Sequence, residues 1–271
     1  MQKKLTVAVL SLLSLTGVQA ADWSDTSLAF TTGNQFAEPF GRTDISKNIY
    51  SLKNVSGDKY GQNFFNVDLL ESDDRDGKAQ EAYVVYRRLF DLEKLTAKKY
   101  AFGPVKNMGI TAGFDWNTKN DTGYASKKRM LVVGPTFMID VKQGFFDISL
   151  LLLNESNKPV GVANRYTYDT HADLSFAWGI ATGISNLSFE GYADLIAAKG
   201  KNEFGGKTAA ETHFNGALMY DASAAVGAAK NTLKLGVGYE YWKNKFGNTY
   251  SSTGNPGALA KTPFMKAEYH F

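Results

Sequence analysis

The chain has 271 residues, with 30 Lys plus Arg against 27 Asp plus Glu, and no cysteine. Without Lys3 and Lys4 the count is 28 basic against 27 acidic, a balance that gives no ground for a nucleic-acid partner. The lack of cysteine excludes disulfides, thiolate metal sites and a Cys nucleophile.

The N-terminal segment is the first element. Lys3 and Lys4, an apolar run over 5–15 and small residues at Val18-Gln19-Ala20 have the pattern of a cleaved secretory signal peptide. The run is too short for a membrane helix, and no later segment approaches the ~18 apolar residues one needs. The expected division is a signal peptide over 1–20 and one further domain over 21–271.

From there on, period-two patterning recurs. Ile110, Ala112, Phe114 and Trp116 alternate with Thr111, Gly113, Asp115 and Asn117. Leu174, Phe176, Trp178 and Ile180 alternate with His171, Asp173, Ser175 and Gly179. Leu187, Phe189, Ala193 and Leu195 alternate with Ser188, Glu190, Tyr192 and Asp194, and Leu235, Val237, Tyr239 and Tyr241 with Lys234, Gly236, Glu240 and Trp242. A helix would scatter these apolar residues, whereas a strand gathers them on one face. Twelve strands are predicted, near 23–33, 45–56, 59–70, 80–91, 108–118, 128–141, 145–155, 166–181, 186–198, 210–222, 231–243 and 261–271.

Short turns at Gly57-Asp58, Lys142-Gln143-Gly144 and Thr182-Gly183 alternate with longer polar loops over 35–44, 72–79, 119–126, 156–165, 199–209 and 244–260. The connection over 92–107 falls on the short-turn side although it is long, and reads as a periplasmic excursion. Tyr168 and Trp178 sit ten residues apart, which at roughly 3.3 Å per residue and a tilt of about 40° spans about 25 Å, the spacing of two aromatic girdles. The final segment places Met265, Ala267, Tyr269 and Phe271 on one face, and Lys266, Glu268 and His270 on the other. A soluble domain seldom ends on such a bare hydrophobic edge. A closed barrel pairs it with the first strand and turns the apolar face to lipid.

The fold class is therefore all-β: an antiparallel transmembrane β-barrel of about twelve strands in a Gram-negative outer membrane. Lipid, lipopolysaccharide and the assembly machinery, reached through Phe271, are its expected surroundings.

On this reading the polar partners of the lipid-facing residues line the lumen. Asn66, Asp68, Asp115, Asn117, Glu190 and Glu240 are the candidate hydrogen-bonding groups, and Tyr192 and Trp242 the candidate stacking aromatics. An aromatic face beside amides and carboxylates suits a base or sugar ring. Mixed charge argues against preference for one ion sign, and about half of the groups should pair with each other. Other motifs fail. Gly206-Lys207-Thr208 lacks the first glycine of a phosphate loop, because position 201 is lysine. Asp73-Asp74-Arg75-Asp76 reads as a solvated loop tip rather than a cation site, and His171, His213 and His270 have no local nucleophile motif. No enzyme activity, cofactor or metal is expected.

Several segments also resemble the Tsx-type nucleoside-specific channels, in their Tsx-like branch. These are Asp25-Thr26-Ser27, Phe36-Ala37-Glu38-Pro39, Tyr60-Gly61-Gln62-Asn63-Phe64-Phe65-Asn66-Val67-Asp68, Gly113-Phe114-Asp115-Trp116-Asn117-Thr118-Lys119-Asn120, Arg129-Met130-Leu131-Val132-Val133-Gly134-Pro135 and residues 236–248. The resemblance implies a twelve-stranded outer-membrane barrel carrying nucleosides, with bacteriophage as a partner of the outer loops in some members. It carries no individual nucleoside contact onto this chain. A general small-solute porin, or a barrel serving as a surface receptor, is the alternative.

Overall fold

The structure is a computed structural model and describes residues 21–40, 42–121 and 123–271. The predicted signal peptide lies outside them. Thirteen strands occur in the order β1 (Trp23–Glu38), β2 (Arg42–Asp58), β3 (Gly61–Ser72), β4 (Gln80–Asp91), β5 (Val105–Lys119), β6 (Arg129–Ile139), β7 (Gly144–Asn157), β8 (Tyr166–Thr167), β9 (His171–Ala181), β10 (Leu187–Ile196), β11 (Glu211–Asp221), β12 (Leu233–Lys243) and β13 (Leu259–His270). β8 is a two-residue stub on the end of β7. The other twelve each pair antiparallel with two neighbours, and β1 against β13 closes the ring with Ser27 opposite His270 and Thr32 opposite Met265. The expected architecture stands.

Alternation fixes the faces. Leu28, Leu69, Phe114, Trp116, Leu131, Leu152, Leu235, Val237, Met265 and Tyr269 are exposed, while Ser27, Thr111, Asp115, His171, Glu240 and Glu268 are buried. An outer surface so apolar, on a barrel without edges, needs hydrocarbon around it, so the chain is a multi-pass outer-membrane barrel. Trp178 faces outward yet is 7% exposed, because Phe189 and Phe214 cover it with ring centroids at 5.3 and 5.8 Å. Its ring lies over Gly191, where a Cβ would come within 2.8 Å of it.

Three expectations need correction. The loop expected over 35–44 is mostly strand. β1 continues to Glu38 through register shifts between Gly33, Phe36 and Glu38, and buries Phe36 and Ala37. Tyr168 is no girdle residue: it lies between β8 and β9, buried in the outer loops, where its hydroxyl donates to Glu203 (2.7 Å). Lastly, the β2–β3 turn falls at Lys59-Tyr60, two residues beyond the expected one.

The 92–107 connection now has an account. It opens with a short helix, α1 (Leu92–Thr96), capped by the Asp91 carboxylate, which accepts from the Lys94 amide (3.0 Å). Asn107 donates to the same carboxylate (2.7 Å), and Lys94 Nζ reaches the carbonyl of Asp58 (2.9 Å), so the excursion is tied to the periplasmic rim.

Candidate functional site

Two register rows climb opposite walls of the bore, because the strands are tilted. One runs Glu268, Ala29, Ser51, Asp68, Tyr83, Asn117 from β13 to β5. The other runs Asp147, Ala177, Tyr192, Asn215, Glu240, Thr262 from β7 to β13. β3 and β10 are six strands apart around the ring, so Asp68 and Tyr192 stand on facing walls.

Tyr192 faces inward, and 40% of its surface is open to the bore. His213 meets it edge-on at 5.1 Å. Trp242 is more crowded, although it stays half-buried. His213 covers one ring face at 3.9 Å and 10°, Phe246 packs at 4.7 Å, and the ammonium of Lys245 sits 4.8 Å from the centroid. The indole N–H donates to Glu211 (3.0 Å). These neighbours leave Trp242 less room for a solute than Tyr192 has.

The hydrogen-bonding candidates divide in the same way. Asp115 is saturated by Tyr83 (2.8 Å) and Arg87, and Asn117 by Glu81 and Ser126, whereas Glu190 takes Ser188 and Lys234 (both 2.8 Å) on Oε1 alone. Asn66 and Asp68 are half-buried, with Ser51 donating to one oxygen of Asp68. Glu240 is buried, and among the described residues its Oε1 has no partner, like Asp173 Oδ1 and the Nε2 atoms of His171 and His213. At the periplasmic end Glu268 gathers Ser27 (2.9 Å), Lys53 and Lys266 (both 2.6 Å).

Two features of the bore were not anticipated. The inner wall of β6 and β7 is apolar, built from Met130, Val132, Leu151 and Leu153 with Ile196 against them. Both faces of these strands are apolar, which hides the alternation. The second is a collar of buried ion pairs around the outer mouth. Glu38 binds Lys47 and Lys245, Lys119 binds Asp76 (2.8 Å), and Lys199 binds Glu155 through both oxygens (2.9 Å). Asp76, expected on a solvated tip, is fully buried between Lys119 and Arg42. Gly257 lies so close over the end of β1 that a Cβ would fall 1.7 Å from the Glu38 carbonyl.

Above the collar, four outer connections meet. Tyr124 lies between Phe40 (6.1 Å) and Phe204 (6.4 Å), and Tyr124 and Tyr168 both donate to Glu203. Burial, then that carboxylate, holds the Tyr124 hydroxyl protonated far above the usual tyrosine range.

No protein-family model and no curated protein matches this chain. Solved structures similar to it are other barrels. A KdgM porin is 10% identical, covers 90% of this chain and 99% of its own, and has a TM-score of 0.46. The translocator domain of the autotransporter NalP from Neisseria meningitidis is 9% identical, with 95% and 91% covered and a TM-score of 0.42. OccK5 (OpdH) from Pseudomonas aeruginosa is 9% identical, with 92% and 98% covered and a TM-score of 0.30. Likeness at this level assigns no substrate, and the fold rests on the strand pairing itself.

Proposed function

We propose that this barrel is a passive outer-membrane channel for small organic solutes, selective for nucleosides that bind weakly beside Tyr192 as they cross. The observation that carries the reading is the open ring of Tyr192, with Asn66 and Asp68 on the facing wall. A nucleoside joins a flat base to a hydroxylated sugar: the base stacks on the phenol, while the amide and carboxylate take up sugar and base hydrogen bonds. The likeness of several segments to the Tsx-type channels supports the same substrate class.

The binding has to be weak. A channel must hold its solute enough to select it and release it fast enough to conduct. Stacking on one aromatic is worth about 1–3 kcal/mol, which with a few solvent-exposed hydrogen bonds gives millimolar to sub-millimolar affinity. Uptake of labelled thymidine into proteoliposomes tests the reading. It should saturate and be competed by adenosine. Uptake that rises linearly and ignores adenosine would leave a general small-solute pore, or a surface receptor presenting the exposed Phe40 and Phe204.

A further inference from the structure

On the outer face of β5, β6 and β7, at the extracellular rim, Arg129 and Arg165 come together without an acidic partner. Arg129 projects outward, since its neighbour Met130 is buried inside, and it stands opposite Trp116 on β5 and Ser156 on β7. Arg165 folds onto the same point, donating to the carbonyl of Lys127 (2.7 Å) and lying 3.5 Å from the carbonyl and hydroxyl of Ser156. Those are neutral acceptors, and among the described residues neither guanidinium forms an ion pair. Desolvation, then the charge of Arg129, pulls Arg165 below the usual arginine value. Lys127 and Lys158, both exposed, add charge at the same rim.

Below the arginines the lipid-facing surface is grooved. A groove of about 450 Å³ runs between Phe114, Trp116, Leu131 and Asn154, with Arg129 and Ser156 at its head. A second outer groove, of about 470 Å³ on β7 to β11, has no basic side chain in its lining. Only the first combines an apolar trough with concentrated positive charge, and it opens sideways into the membrane.

We propose that this rim binds one phosphate-bearing lipid of the outer leaflet, its phosphate between Arg129 and Arg165 and an acyl chain in the groove beneath. Planar guanidinium forks suit phosphate oxygens, and two of them sharing one anion relieve their mutual repulsion. Trp116 supplies the amphipathic ring that belongs at headgroup level. The site lies on the outer wall, so it takes no part in conduction.

Native mass spectrometry of the purified barrel, titrated with bis-phosphorylated lipid A, tests this. One lipid should stay bound, and R129Q/R165Q should weaken retention by about 30-fold, at roughly 1 kcal/mol per arginine. Heat-modifiable mobility confirms that the variant is folded. K243Q/K261Q, which removes exposed lysines at the rim on β12 and β13, should leave retention unchanged. Dephosphorylated lipid A should bind no better than to R129Q/R165Q, and millimolar inorganic phosphate should not displace the lipid. Equal loss in the two double variants, or equal retention of dephosphorylated lipid, would overturn the site. Displacement by inorganic phosphate would make it a free-anion site instead.

Discussion

Replacing Lys199 with methionine should break the outer collar at its most buried cation. Lys199 is 2% exposed, its ammonium lies 2.9 Å from both oxygens of Glu155 and 3.8 Å from Glu211, and it sits 4.6 Å from the centre of the Tyr168 ring. Lys199→Met preserves the packing of the stem and deletes the charge, which leaves two buried carboxylates short of a partner. Removing one member of a buried pair costs about 3–5 kcal/mol. The low end applies here, because Glu155 keeps Lys128 at 3.6 Å and Glu211 keeps the N–H groups of Trp242 and Phe246. The measurement is reversible urea unfolding in lipid vesicles, run as a double-mutant cycle with Glu155→Leu. Lys199→Met should lose about 3 kcal/mol, and the double variant should recover part of it, since the apolar pair needs no compensation while Lys128 loses its carboxylate. A loss under about 0.5 kcal/mol, or a double variant as unstable as the single one, would refute the collar as a coupled buried network.

Other outcomes follow from the same geometry. Tyr192→Ala should weaken nucleoside block of single-channel current by about tenfold, at about 1.4 kcal/mol for the lost stack, while Tyr192→Phe keeps it. Trp242→Ala should lower stability, because it frees Glu211 and His213. Phe176→Arg, on the lipid face, should cost about 2–4 kcal/mol in bilayers, and Asp173→Asn, in the bore, far less; equal costs would reverse the faces. Phe271 is 73% exposed and its amide donates to Thr26 (2.9 Å) beside the closing seam, so Phe271→Asp should cut the yield of heat-modifiable barrel more than a deletion in the outer loop over 251–254. Asp58, the last residue of β2 beside the periplasmic turn, is held down to about 2 by the hydrogen bond from Arg88, then by that from the Tyr60 amide. Its folded pKa lies below the usual 3.8, so its stabilisation is complete above that pH and is lost as pH falls towards 2. Asp58→Asn should flatten the acid limb of a pH–stability curve across that interval.

The barrel was legible because lipid and water impose opposite chemistry on the two faces of a strand. β5, β10 and β12 alternate cleanly, and their faces follow from sequence. β6 and β7 give strands without faces, since Met130 and Leu151 look inward beside Leu131 and Leu150 looking outward. The mouth was illegible for another reason. Glu38 meets Lys245, and Glu155 meets Lys199, from segments distant in sequence, and no local pattern marks a charge whose partner arrives with a loop. The crowding of Trp242 was illegible on the same ground: alternation puts it inside, but Phe246 and Lys245, which pack on its ring, follow in a connection with no period. Tyr192 was placed correctly on the inner face, and its openness depends on the small neighbours Ala177 and Asn215 beside it in the register.

The most direct test is the current through one wild-type barrel in a planar bilayer, titrated with adenosine and thymidine and, in parallel, with ribose. Saturable block by both nucleosides in the millimolar to sub-millimolar range, with ribose weaker because it lacks the base, is the predicted result. Current unchanged by nucleosides at several times that concentration would contradict a binding site in the bore.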